Sequence, residues 1–300
     1  MTTLLAASTT VWLDQIVTGI TRGGWIFLVA AGLTLVFGVL HVLNFAHGSL
    51  YLVGAYVGAA LGPAFGGSLG AFLLILLIAP FAAAAVGGAI EVGLLRPTYR
   101  RPLLYQFLLM FGVVYVINGA VEAIWGVETR QLSAPHALTA PVHIGAVTIA
   151  RYNLFTLAVG IVAAALVLLL LHRSAFGRDV RAVAQDPEMA ALLGVRVGRV
   201  RTLVYVLGAW LAGLAGVITA GQSAFTTTDG VTTVILAFVV VIVGGMGSIW
   251  GAIVASLIIG VADAVGAIAI PDLSVAIVYL VMAVVLLVRP WGLLGRPVHA

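Results

Sequence analysis

The 300-residue chain is 63% hydrophobic and only 8% charged, with a mean hydropathy of +1.22. A water-soluble domain carries about 25% charged residues, so this is the composition of an integral membrane protein. All 14 basic residues are arginines and there is no cysteine. That excludes a lysine-dependent phosphate-binding P-loop, Schiff-base chemistry, thiolate nucleophiles and cysteine metal sites. The net charge of +4 falls in short clusters between apolar runs, which leaves no continuous basic face for nucleic acid.

A hydrocarbon core of about 30 Å takes roughly 20 apolar residues per helix. Stretches of that kind are predicted near Gly24–Leu43, Leu69–Ile90, Leu103–Trp125, Asn153–Leu171, Thr202–Gly221 and Gly251–Ile270, with shorter ones at Val231–Val243 and Leu273–Val288. Leu50–Leu61 is about half a span and reads as part of a broken or re-entrant helix. The fold class is therefore all-α and polytopic, one transmembrane domain over residues 1–300 with eight or nine helices. No basic residue precedes Arg22, so the first apolar stretch is expected to be retained rather than cleaved as a signal peptide.

Arginine excess marks the cytoplasmic side. The clusters are Arg96, Arg100 and Arg101, then the loop of about 173–201, then Arg289 and Arg296. Together they predict a cytoplasmic C-terminus; the side of the N-terminus depends on whether 50–61 crosses. The Gly126–Tyr152 connection falls on the outer face as a candidate cap. Glycine pairs such as Gly54/Gly58, Gly62/Gly66 and Gly247/Gly251 allow close helix approach. Gly48-Ser49 and Gly247-Ser248, each taken to precede a helix, hint at an inverted repeat.

Two segments carry more than packing. In the first, Asn44-Phe45-Ala46-His47-Gly48 interrupts a strongly apolar stretch. Polar groups there are expected to face protein or a water-filled path, which makes Asn44, His47 and Gly48 candidates for a translocation pathway. The plainer reading is hydrogen bonding between neighbouring helices. The histidines lack compact ligand spacing and an adjacent carboxylate, so the pattern points away from a metal.

The second segment runs from Phe176 to Arg196. Asp186 is placed to cap a helix, Pro187 to open it, Glu188 to complement its dipole and Gly194 to end it. Met189, Ala190, Leu192 and Leu193 would give that helix an apolar face for another protein. The alternative is a helix resting among headgroups with its arginines on lipid phosphates.

These two segments, in this order and separation, resemble the permease subunit of the branched-chain amino acid ATP-binding-cassette importers, over nearly the whole chain. The matching elements are Gly32–Gly38, Asn44–Gly48, Gly54-Ala55-Tyr56, Arg181–Gln185 leading to Gly194, Ala212–Gly216 and the turn Gly244–Ser248. The coupling region lacks the Glu-Ala-Ala form of many other such importers. The resemblance implies that Arg178, Arg181, Asp186, Glu188 and Gly194 belong to a segment coupled to a separate ATPase. It also implies a second, related permease subunit and a periplasmic or lipid-anchored substrate-binding protein, in the bacterial inner membrane. On this reading the chain has no catalytic residues and binds no cofactor, ATP being hydrolysed by its partners. Urea, short amides or other small polar solutes are alternative cargoes. Glu91, Glu122 and Asp263, carboxylates within or at the ends of apolar segments, would be coupling sites if the chain were instead an ion-driven carrier.

Overall fold

The computed structural model describes residues 9–144 and 147–295. Its helices are α1 (Thr9–Leu40), α2 (His47–Phe65), α3 (Leu69–Ile90), α4 (Leu103–Trp125), the single turn α5 (His136–Thr139), α6 (Arg151–Arg173), α7 (Ala175–Gln185), α8 (Pro187–Leu192), α9 (Val197–Gln222), α10 (Asp229–Gly244), α11 (Ile249–Ala269) and α12 (Ser274–Val288). Seven of the described helices are long and apolar enough to cross a membrane, and α10 and α12 are shorter apolar ones. Arg296, in the third arginine cluster, lies outside the described residues.

Contacts sort these helices by end. Glu91 at the foot of α3 binds Thr202 at the start of α9, Arg201 lies 4.7 Å over the Tyr99 ring, and Gly38 of α1 abuts Gly247 after α10. The described members of the arginine clusters gather at this one end. At the other, Arg130 and Phe225 exchange backbone hydrogen bonds, and Asp14 accepts from the Thr148 amide. The described chain therefore makes nine passages, with α1 starting opposite the arginine-rich end and α12 finishing at it. That resolves the choice between eight and nine.

Two boundaries differ from the sequence reading. Helix α1 begins at Thr9, well before the apolar stretch at Gly24. It can carry Arg22 because Asp263 of α11 meets the guanidinium at 2.5 Å, and a paired charge is far cheaper in an apolar setting than a lone one. Helix α2 takes in His47–Phe65, about 28 Å at 1.5 Å per residue, so 50–61 belongs to a full passage rather than half of one. The Gly126–Tyr152 connection folds into α5 and a small antiparallel hairpin, β1 (Pro141–Ile144) with β2 (Val147–Ala150).

Helices α1 and α9 run through the centre, and α4 and α6 expose most of their surface. Lipid tails are as apolar as leucine, so burial alone cannot hold these helices together; close backbone approach and polar bonds must. Glycines supply the approach. A methyl on Gly54 would strike the Gly213 backbone, one on Gly216 the Tyr51 carbonyl, and one on Gly32 the Gly208 carbonyl. Gly62 and Gly66 do not join this pattern, since Gly62 meets only the Leu132 side chain and Gly66 faces open space. Ser248 caps α11, whereas Gly48 and Ser49 sit inside the first turn of α2, so the two Gly-Ser pairs are not equivalent and the repeat hint fails.

Gly54→Val should destabilise the bundle by about 1–3 kcal/mol, the usual cost of overpacking. Gly70→Val, in α3 where an added Cβ would meet nothing within 4 Å, should leave the detergent melting temperature nearly unchanged. Equal melting of the two variants would remove the backbone contact from the account.

Candidate functional site

The Asn44–Gly48 segment sits in a sharp break between α1 and α2. Helix α1 closes at His41, whose φ of +55° is the left-handed conformation usually left to glycine and whose amide donates to the Phe37 carbonyl at 2.9 Å. The chain then climbs back into the bundle, so that the first residue of α2, His47, lies beside Val29 and Gly32, about two turns before the end of α1. The His47 ring occupies the space that Gly32 leaves by having no side chain, since a methyl there would fall 2.9 Å from Cε1. Gly48 in turn lets the Gly230 carbonyl of α10 approach.

Asn44 and His47 are both fully buried. His47 Nε2 lies 3.0 Å from the Val29 carbonyl; a carbonyl can only accept, so Nε2 carries the proton and Nδ1 is left an acceptor with no donor. The Asn44 amide neighbours the Tyr205 hydroxyl, yet neither of its polar atoms is in hydrogen-bond geometry. The Thr34 and Tyr56 hydroxyls are likewise unpartnered. Each such group costs about 1–3 kcal/mol, and buried polar groups are otherwise nearly always satisfied. The interhelical hydrogen-bond reading thus accounts for one atom of His47 and leaves the Asn44 amide only the neighbouring Tyr205 hydroxyl.

The second segment forms a bracket at the arginine-rich end. Ser174 caps α7 by accepting from the Gly177 amide at 2.9 Å, and Arg181 bonds the Leu171 carbonyl, tying α7 to the end of α6. Asp186 caps α8 by accepting from the Glu188 and Met189 amides, both at 2.9 Å, with Pro187 as first helical residue. Gly194 ends it at φ +86°. Its amide donates to Ala191 and that of Val195 to Ala190, each at 3.0 Å, a Schellman closure. Ala190 faces the core, while Leu192 and Leu193 are 82% and 77% exposed. Arg178 and Glu188 are exposed as well. Arg181 stands apart from α8: with His41 it lines a cleft of about 520 Å³ between α1, α6 and α7.

Each carboxylate singled out in the apolar segments has a partner. Glu91, fully buried in a π-helical turn after α3, accepts from Arg96 (3.2 Å), Tyr99 (2.8 Å) and Thr202 (2.7 Å). Burial, and then the Glu91 charge, push the Tyr99 phenol well above its ordinary pKa and keep it a donor. Glu122 accepts from Thr227 at 3.0 Å, and Asp263 holds Arg22.

Sequence reasoning missed a group at the opposite end. Tyr51 follows His47 by one turn of α2, and its hydroxyl meets that of Thr219 at 2.6 Å. Both line a polar cleft with Arg22 and Asp229. The available signal was a pair of opposite charges, Arg22 and Asp229, beside apolar stretches.

Comparison with known proteins matches residues 15–286 to the family described as the branched-chain amino acid transport system permease component. The chain is 31% identical to the high-affinity branched-chain amino acid transport system permease protein BraD of Pseudomonas aeruginosa, covering 95% of this chain and 96% of that one. It is 30% identical, with the same coverage, to LivH of Escherichia coli, which bears the same description. A probable branched-chain amino acid transport permease LivH of Methanocaldococcus jannaschii is 25% identical over 89% of this chain and 88% of its own. No solved structure matches the chain. With a nine-passage helical bundle and full-length likeness to these permeases, the chain belongs to the family of branched-chain amino acid transport system permease components.

Proposed function

We propose that this chain is the membrane-spanning subunit of an ATP-driven importer for branched-chain amino acids, working in the bacterial inner membrane with its arginine-rich end and C-terminus in the cytoplasm. The observation that carries this reading is the capped α8 bracket with its exposed Leu192 and Leu193, in a chain alike over its full length to BraD and LivH. Energy enters from separate ATPase subunits that grip the bracket. The chain itself holds no ATPase site and no cofactor, and its work is a shift of the bundle between outward- and inward-open arrangements. A second permease subunit and an external binding protein complete the complex.

The unpartnered Asn44 amide and His47 Nδ1 belong to that shift. In the packed arrangement they are buried without a hydrogen-bond partner among the described residues; in an arrangement that opens the α1–α2 break they meet water or cargo. They lower the cost of opening and lie beside the path, with Gly48 giving α10 its close approach.

In the assembled complex, Glu188→Ala with Arg181→Ala should uncouple ATP hydrolysis from uptake while the bundle stays folded, and unchanged uptake would sink the bracket's role. Asn44→Leu or His47→Leu should lower uptake at least about tenfold, as expected for an interaction worth 1.4 kcal/mol or more, without loss of ATPase association. Wild-type uptake in both variants would remove them from the path. Asp263→Asn separates this reading from ion-driven transport. Asparagine can still accept from Arg22, so uptake should persist, reduced but ATP-dependent, whereas its abolition would favour an ion-coupled carrier.

A further inference from the structure

Helix α10 has 16 residues where its neighbours α1 and α11 have 32 and 21. The room it leaves at its Asp229 end is a cleft of about 330 Å³, opening opposite the arginine-rich end. That is at the small end of the range of about 300–1,000 Å³ for ligand clefts.

In so apolar a chain the walls of this cleft are unusually polar. Arg22 comes from α1, Tyr51 from α2, Thr219 from α9, and Asp229 and Thr233 from α10. The two charges are each anchored on one side only. Arg22 gives Nη1 to Asp263, and its other nitrogens have no hydrogen bond among the described residues. Asp229 Oδ2 accepts from the Thr226 amide at 2.6 Å and from its hydroxyl at 3.3 Å, while Oδ1 has no partner among the described residues. The Thr219 hydroxyl donates to the Ala215 and Gly216 carbonyls, so in the 2.6 Å contact Tyr51 is the donor, and its oxygen, with Thr233 beside it, can still accept in the cleft. Gly48 fixes the position of the acid: Gly230, next to Asp229, rests its carbonyl where a Gly48 side chain would be.

We infer that this cleft is a site for a zwitterionic α-amino acid, with its carboxylate on Arg22 and its ammonium on Asp229 and the Tyr51 oxygen. The inference rests on the importer reading and assigns that reading's cargo a place in the chain. Guanidinium is well matched to a carboxylate, and the aliphatic side chain lies against Trp25 and Phe225, which also line the cleft. A solute with a single charge satisfies one wall and leaves the other without its partner. A neutral solute such as urea brings no charge to either wall.

The chain's lack of cysteine supplies the test. Ala224, exposed at the cleft, is changed to cysteine and its maleimide labelling is followed in the complete purified transporter. L-leucine should slow labelling, whereas 4-methylpentanoate, without the amine, and 3-methylbutylamine, without the carboxylate, should not. Adding Asp229→Asn should weaken protection by leucine about tenfold and make 4-methylpentanoate protective, since no charge is then left without its partner. Labelling that ignores leucine, or protection by urea or either single-charge probe equal to that by leucine, overturns the site. ATP-driven leucine uptake by the unsubstituted complex in vesicles is scored separately. Uptake without protection overturns the site alone; protection without uptake supports the site and overturns the importer reading.

Discussion

The close approach of α9 to three other helices is what the rest of the bundle depends on. Inside a membrane, swapping lipid contact for helix contact yields little from the hydrophobic effect, so the backbones themselves have to meet. Gly208 meets α1 at Gly32, Gly213 meets α2 at Gly54 and α3 at Pro80, and Gly216 meets α2 again at Tyr51. A side chain at any of these positions would move a whole helix. The same contacts set the height at which His47 enters the bundle, and through Gly48 and Gly230 the height at which α10 begins.

Charge inside the bundle follows a similar logic of compulsory partners. Glu91 is tolerable at full burial because three donors converge on it, and in doing so they pin the foot of α3 to the start of α9. Arg22 is tolerable because of Asp263. Against that background, some groups have no partner among the described residues: the Asn44 amide and His47 Nδ1 at the break, together with the Thr34 and Tyr56 hydroxyls, and one oxygen of Asp229 at the cleft. One turn of α2 joins the two places, His47 leading to Tyr51.

The bracket at the arginine-rich end connects to this centre mechanically. Helix α7 is tied to α6 through Ser174 and Arg181, and α8 is closed at both ends by Asp186 and Gly194. Only a short turn separates α8 from α9, the helix that touches the α1–α2 break and lines the cleft. Short, capped and bonded elements transmit motion because they have few soft dihedrals to absorb it.

The chain's local chemistry was legible without coordinates wherever one element carried the whole signal. The all-α membrane class follows from composition and from apolar runs of spanning length. The cap, first turn and stop of α8 follow from Asp186, Pro187 and Gly194, because capping is settled within a few residues of backbone. What required the tertiary structure were the features whose partners lie far along the chain. Arg22 inside α1 is paired with Asp263, some 240 residues away. The full length of α2 depends on where α9 and α10 leave room for His47 and Gly48, and the failure of Gly62 and Gly66 as packing sites depends on what happens to face them. The polar cleft left only a faint sequence signal, the charges Arg22 and Asp229 beside apolar stretches, because four helices each contribute one or two of its groups. Spacing along a single helix says which residues share a face, but only packing decides which faces meet.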